Sequence, residues 1–205
     1  MTVPAWHEEA ITGQHDCNAF GSGDAELNVF LNRYARQSHD QGAAKTFLAV
    51  DDSTGAILGF YSLTPASLAC DRASEIVLRG LARHDVPGFR LARIAIDRTV
   101  QGQGLAGQLL LAARRRCLLA AAEVGGTILI IDAQNDRADS WYVGYGAMPL
   151  LDAGLTLVLA LATIERLLKE VGKLAPWEWR GASRPISVFL TSAIRLTTQQ
   201  QAVTQ

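Results

Sequence analysis

Residues 101–107 read Gln101-Gly102-Gln103-Gly104-Leu105-Ala106-Gly107, and glycines at that spacing suit one kind of chemistry. Where side chains are missing, backbone N–H groups can face a phosphate, and a helix starting there adds the positive end of its dipole. A diphosphate therefore belongs at Gln101 to Gly107. Gly102 to Gly107 also matches GxGxxG, and Asp132 ends the next predicted strand, so a dinucleotide site is the first reading to weigh. Three features oppose it. Asp97 to Gln101 separate the glycines from the preceding strand, a helix and a hairpin come before this unit, and no second βαβ half comes after it. A turn that merely needs glycine is the plainest alternative. Trp141, Tyr142 and Tyr145 share one face of a later predicted helix, and by spacing alone Tyr142 reads as a buried aromatic.

Metal chemistry finds no footing. Cys17, Cys70 and Cys117 lie far apart, and His7, His15, His39 and His84 lack ligand spacing, so neither a zinc site nor a disulfide framework is expected.

The elements that must position the turn can be read from periodicity. Residues 24–39 place Leu27, Phe30, Leu31, Tyr34 and Ala35 at helical spacing, with Ser22 or Asp24 as N-cap. Residues 46–50 and 56–64 read as a hairpin around Asp51-Asp52-Ser53-Thr54-Gly55, closed by Pro65. Residues 66–88 read as a loop with a short helix around Ile76 to Leu81, and Phe89 to Asp97 as a strand. After the glycines a helix runs to about Glu123, with Leu105, Leu109, Leu110, Ala113, Cys117, Ala120 and Val124 on one face. Residues 127–133 form a short apolar run, as expected of a strand covered on both sides. A helix over 136–145 and a strand over 155–161 complete the set. The order predicts an α/β fold whose mixed sheet is antiparallel in its N-terminal half and flanked by helices. Residues 163–171 read as a final helix. The domain is therefore set at 1–171, and 172–205, with one strand expected at Ile186 to Leu190, as a partly disordered extension ending in a Gln/Thr-rich tail.

Composition narrows the partners. With 49% hydrophobic and 19% charged residues, the 205-residue chain is globular and long enough for a sizeable core. No apolar run reaches the roughly 20 residues of a membrane span, and MTVPAWHEEA lacks the pattern of a signal peptide, so a cytoplasmic protein off the membrane is expected. The net charge of −1 argues against a nucleic-acid binder. Residues 71–116 nevertheless hold nine arginines against four acids, a local +5 that can steer a polyanion. The bland alternative is a preference for arginine, since the chain has only three lysines.

The pattern Ile96, four residues, Gln101-x-x-Gly104-x-Ala106 resembles the signature of the GNAT (GCN5-related) N-acetyltransferases, and the likeness covers about residues 11 to 161. Within that superfamily, four stretches resemble the acetyltransferase toxins of bacterial toxin–antitoxin pairs: HDCNAFGSGDAELNVFL, KTFLAVDDSTGAILGFYSL, RLARIAIDRTVQGQGLAGQLL and DAQNDRADSWYVGYGAMPL. Departures are Trp141 where phenylalanine is usual, Ala147 where an aromatic often comes after the glycine, and about forty extra C-terminal residues.

The resemblance implies a GNAT fold and acetyl-CoA as co-substrate, with no metal. The coenzyme would be held by Ile94, Ala95, Ile96, Gln101, Gly102, Gln103, Gly104, Leu105, Ala106, Gly107 and Asn135. Backbone N–H groups near Ile94 to Ile96 would meet the developing oxyanion. Tyr142 matches the family tyrosine that protonates the departing thiolate. The acceptor implied is the α-amino group of aminoacyl-tRNA, whose acetylation blocks translation. From the arginine cluster itself, Arg90 and Arg93 are the expected contacts to RNA or to coenzyme phosphate, an ordinary solvated strand face being the alternative. Further partners implied are an antitoxin of ribbon-helix-helix type and a second copy in a homodimer. The residues add one point of their own. No general base stands out, and an α-amine (pKa near 8) needs one less than a lysine amine (near 10.4). A GNAT enzyme for small amines or protein N-termini, and a non-catalytic acetyl-CoA-binding module, are the competing readings.

Overall fold

The structure, a computed structural model, describes residues 3–69, 85–150 and 154–162. They belong almost wholly to the first of two compact units, Met1–Leu161. The helix expected over 163–171, the extension beyond it, and the short helix around Ile76 to Leu81 lie outside the described residues.

A seven-stranded sheet organises this unit. Its strands are β1 (Trp6–Ala10), β2 (Lys45–Asp51), β3 (Ile57–Leu68), β4 (Val86–Ile96), β5 (Ile128–Asp132), β6 (Met148–Pro149) and β7 (Thr156–Ala160). The spatial order is β1-β2-β3-β4-β5-β7-β6. Pairing is antiparallel except between β4 and β5, which run parallel and are joined through a helix. The mixed α/β architecture, antiparallel in its first half, is the one expected.

On one face lies a helical stretch in three parts: α1 (Ala25–Val29), a π-helical turn (Phe30–Tyr34) and α2 (Ala35–Asp40). Asp24 caps it, its carboxylate accepting from the N–H groups of Glu26 and Leu27 at 2.9 and 3.1 Å. Phe30 and Leu31 are buried against Phe60 and Phe20, with Phe60 5.6 Å from Phe20 edge-on and 6.1 Å from Phe30 in a stack. Each such burial is worth about 1.5–3 kcal/mol. The other face carries α3 (Leu105–Val124), which buries Leu105, Leu109, Leu110, Ala113 and Cys117. The short α4 (Asp136–Val143), capped by Asn135, comes after β5.

Five expectations need correction. The edge strand β1 was unforeseen: its pattern of half-buried Trp6 and Glu8 among exposed neighbours carries little apolar signal. Pro65 does not close the hairpin, because β3 continues to Leu68. β2 ends opposite Leu63, so Pro65 lies on an open edge, where a residue without an N–H is tolerated. β4 likewise starts three residues earlier than expected, at Val86, and the two-residue β6 was missed. Val124 does not join the inner face of α3; it is 80% exposed at the helix end.

Two irregularities mark β4. Ser62 pairs with Arg93 but Leu63 with Leu91, so Ala92 is an extra residue, a β-bulge. In addition, β4 pairs with β5 only from Gly88 to Leu91, although it stays paired with β3 as far as Ile96. Beyond Leu91 the parallel neighbours part, and the backbone of 92–96 is left open on the β5 side.

Candidate active site

The glycine turn sits at the end of this opening. Asp97 begins it: its buried carboxylate accepts from the N–H and hydroxyl of Thr99 at 2.9 and 2.7 Å and from the N–H of Gly21 at 2.8 Å. Burial works against that charge, but these hydrogen bonds outweigh it and hold the carboxyl below its ordinary value. Gln101 then donates to the carbonyls of both Ser22 (2.7 Å) and Ile96 (2.9 Å), tying the turn to the loop before α1 and to the end of β4. Gly102 and Gly104 have φ of +75° and +91°, which L side chains rarely adopt, and a Cβ on either would meet nothing within 4 Å. Conformation demands glycine here, and the space above is open. Gly104 caps α3 without any side-chain bond, so no side chain covers the first N–H groups of that helix.

The open edge of β4 and this turn line one cleft of about 610 Å³. Ile94, Ala95, Ile96, Gln101, Gly102, Gly104, Leu105, Ala106 and Gly107 all contribute to it, so nine of the residues expected to hold a coenzyme are brought together. Gln103 and Asn135 are not among its lining residues. Gln103 donates to the carbonyl of Thr99 at 3.2 Å, and the Asn135 side chain accepts from the N–H of Ala138 at 2.9 Å as the cap of α4. The reading from sequence omitted Arg137, Trp141 and Tyr145 from the opposite wall, and Ser22, Asp24 and Leu27 from the α1 side. Arg137 is exposed and forms no ion pair among the described residues. Its place in the first turn of the helix after the next strand was the available signal.

Tyr142 stands beside this wall rather than on it. It is 7% exposed, its ring 4.9 Å from that of Trp141, and its hydroxyl makes no hydrogen bond among the described residues. Burial pushes its phenol up to about 12, so it keeps its proton at neutral pH. Tyr145 lines the cleft, and its hydroxyl lies so close to Gly107 that a Cβ there would overlap it.

The two arginines expected to meet RNA lie outside the cleft. Arg90 pairs with Asp132, and Arg93 lies 3.8 Å from the centroid of Phe30. Arg93 lines a second hollow of about 370 Å³ with Ala25, Glu26, Val29, Phe30 and Tyr34. The described residues contain no cluster suited to a metal ion, and no helix among them is long and apolar enough to cross a membrane.

The seven-stranded mixed sheet with its flanking helices is the GNAT fold, shared with solved toxin structures, one of them bound with acetyl-CoA. No family model matches the chain. A tRNA-acetylating toxin of Mycobacterium tuberculosis is 35% identical over 135 residues, 66% of this chain and 80% of that protein. Among solved structures, KacT (as a tyrosine-to-phenylalanine mutant) matches with a TM-score of 0.74 and 27% identity over 80% of this chain and 99% of its own. AtaT complexed with acetyl-methionyl-tRNA matches at 0.75 and 26%, with the same coverage. AtaT carrying a tyrosine-to-phenylalanine change, bound to acetyl-CoA and the C-terminus of the antitoxin AtaR, matches at 0.68 and 25% over 80% of this chain and 98% of its own. The chain belongs to the family of tRNA-acetylating toxins, acetyltransferases of the GNAT fold.

Proposed function

We propose that this chain transfers the acetyl group of acetyl-CoA to the α-amino group of aminoacyl-tRNA and so blocks translation. The observation that carries the reading is the single cleft in which the open edge of β4 meets the glycine turn. The turn and the first N–H groups of α3 offer amides to the coenzyme diphosphate. The backbone of 92–96, open on its β5 side, offers hydrogen bonds to the pantetheine arm and, near Ile94 to Ile96, to the acetyl carbonyl as it becomes an oxyanion. The amine attacks the thioester carbon, the carbon–sulfur bond breaks, and Tyr142 gives its proton to the thiolate. Among the similar structures, KacT and AtaT both appear with a tyrosine-to-phenylalanine change, which removes a phenol hydroxyl.

The acceptor enters from the hollow beside α1. Its rim offers the exposed ring of Tyr34 and the guanidinium of Arg93, and Arg33 stands exposed next to Tyr34. Neither Arg33 nor Arg93 forms an ion pair among the described residues, so both charges are available to RNA phosphate. Arg90 serves there once its bond to Asp132 is exchanged. On this reading Gln103 and Asn135 support the coenzyme turn and wall from outside the cleft, the protein works in the cytoplasm as a homodimer, and its antitoxin is of ribbon-helix-helix type. Residues 1–171 form the catalytic domain.

The test incubates purified protein with labelled acetyl-CoA and charged tRNA, beside uncharged tRNA, free amino acids and N-terminal peptides. Label is expected only on charged tRNA, and it should leave with the amino acid when the ester is hydrolysed. Label on free amines or peptides but not on charged tRNA would assign the chain a different acceptor.

A further inference from the structure

Arg114 is the most deeply buried charge among the described residues, and nothing in the transfer step uses it. It lies in the middle of α3, 6% exposed, with its Nε hydrogen-bonded to nothing. Its one hydrogen bond runs from Nη2 to the main-chain carbonyl of Tyr145, at 2.5 Å, and the guanidinium carbon is 5.9 Å from the centre of the Tyr145 ring. Taking a guanidinium out of water for one carbonyl and an unmatched donor is a poor route to stability, and apolar replacements of such groups are often neutral or better. The residue needs another explanation.

That explanation lies in the turn to which the carbonyl belongs. After α4 the chain bends sharply: Tyr145 N–H donates to the carbonyl of Tyr142 (2.9 Å), Gly146 N–H to that of Val143 (2.8 Å), and Ala147 N–H to that of Tyr142 (3.2 Å). The turn thus answers the last carbonyls of the helix from within, and the carbonyl of Tyr145 itself is answered by Arg114. A fixed positive charge beside the C-terminal end of a helix is also favoured by its dipole. Two turns earlier on the same side of α3, Gly107 leaves room for the Tyr145 hydroxyl. The helix that presents its N-terminus to the diphosphate therefore grips both ends of Tyr145, ring and main chain. Through that grip it sets the roll of the eight-residue α4, which carries Trp141 and Tyr142.

We infer that Arg114 is a positioning residue for acetyl transfer, holding the α4 turn so that the aromatic wall and the Tyr142 phenol keep their place against the coenzyme. This rests on the acetyltransferase reading above. It requires that loss of Arg114 lower kcat while leaving the fold and coenzyme binding in place.

The experiment compares full-length wild type with Arg114→Met and Arg114→Lys, measuring thermal unfolding, acetyl-CoA affinity by calorimetry, and kcat and KM with charged tRNA. Arg114→Met should melt no lower than wild type, bind acetyl-CoA within twofold, and lose at least tenfold in kcat with KM little changed. Arg114→Lys, which keeps a cation able to reach the carbonyl, should recover most of that loss. A Met variant with wild-type kcat overturns the inference. So does a kcat that falls only in step with melting temperature or coenzyme affinity, or a Lys variant as slow as the Met variant. If Arg114→Met does not fold, Arg114→Leu, which likewise removes the donor, is judged by the same criteria. Wild type inactive on charged tRNA would sink the acceptor reading instead, and thiol release from acetyl-CoA with other amines would then report on the variants.

Discussion

Replacing Tyr142 with phenylalanine removes one oxygen and separates catalysis from packing. The hydroxyl has no hydrogen-bond partner among the described residues, so its loss leaves no orphaned donor or acceptor and the ring still fills its place beside Trp141. Stability should therefore change by less than about 0.5 kcal/mol. The chemical step should change far more. A positioned general acid contributes about 10²- to 10⁴-fold, or roughly 3–5 kcal/mol of barrier. Because burial raises the phenol to about 12, the acid stays protonated across the working range, and its loss should not appear as a limb in the pH–rate profile near neutrality. The rise with pH that remains should track the acceptor amine, with a pKa near 8. The assay is steady-state transfer to charged tRNA with acetyl-CoA affinity measured alongside; kcat should collapse while affinity moves less than twofold. The control is Tyr145→Phe. Tyr145 lines the cleft but is tethered by its main-chain carbonyl, which the substitution keeps, so most activity should survive. If Tyr145→Phe loses the activity and Tyr142→Phe keeps it, the acid has been misassigned and Tyr142 is a core aromatic.

Three other changes probe the cleft and the domain limits. Gly104→Val forces a β-branched residue to φ +91°, costing about 1–3 kcal/mol locally, and should weaken acetyl-CoA binding by tenfold or more with the far-UV spectrum unchanged. Arg137→Ala should weaken acetyl-CoA binding several-fold but leave acetyl-pantetheine, which has no diphosphate, unaffected; equal weakening of both would remove Arg137 from phosphate contact. Truncation after residue 171 should retain transfer by folded protein, and a folded but inactive truncate would show that the catalytic domain extends further.

How far the molecule could be read from its residues depended on how strongly each position was constrained. The glycine turn was legible because glycine alone suits φ of +75° and +91°, and α3 because a helix packed along a sheet must repeat its apolar face. β5 was legible because Ile128 to Ile131 are all buried. Edges were not. Trp6 to Ala10 has one neighbour strand and one wet side, so its composition is mostly polar. Which aromatic reaches the cleft was also hidden, since Trp141, Tyr142 and Tyr145 share a helical face. The turn at Gly144 to Ala147 and its tether to Arg114 hold Tyr145 on the wall, with Tyr142 buried beside it. Arg114 falls at helical spacing from Gly107, Leu110 and Cys117, but a charged residue gives no apolar signal there, so its burial was hidden too.

The bulge at Ala92 redistributes charge across the sheet. Arg90 and Arg93 are an odd number of residues apart, and on a regular strand they would project from opposite sides. Because Ala92 takes up one position without a partner, Arg90 stands opposite Thr64 and Arg93 opposite Ser62, two residues of β3 with the same parity as Phe60. Both guanidiniums are thereby brought to the side of the sheet where Phe60 meets α1, the side of the hollow that Arg93 lines. Ile94, opposite Tyr61, falls to the other. One unpaired residue thus sorts the strand, sending its cations to the face that would meet a polyanion and leaving apolar side chains toward α3.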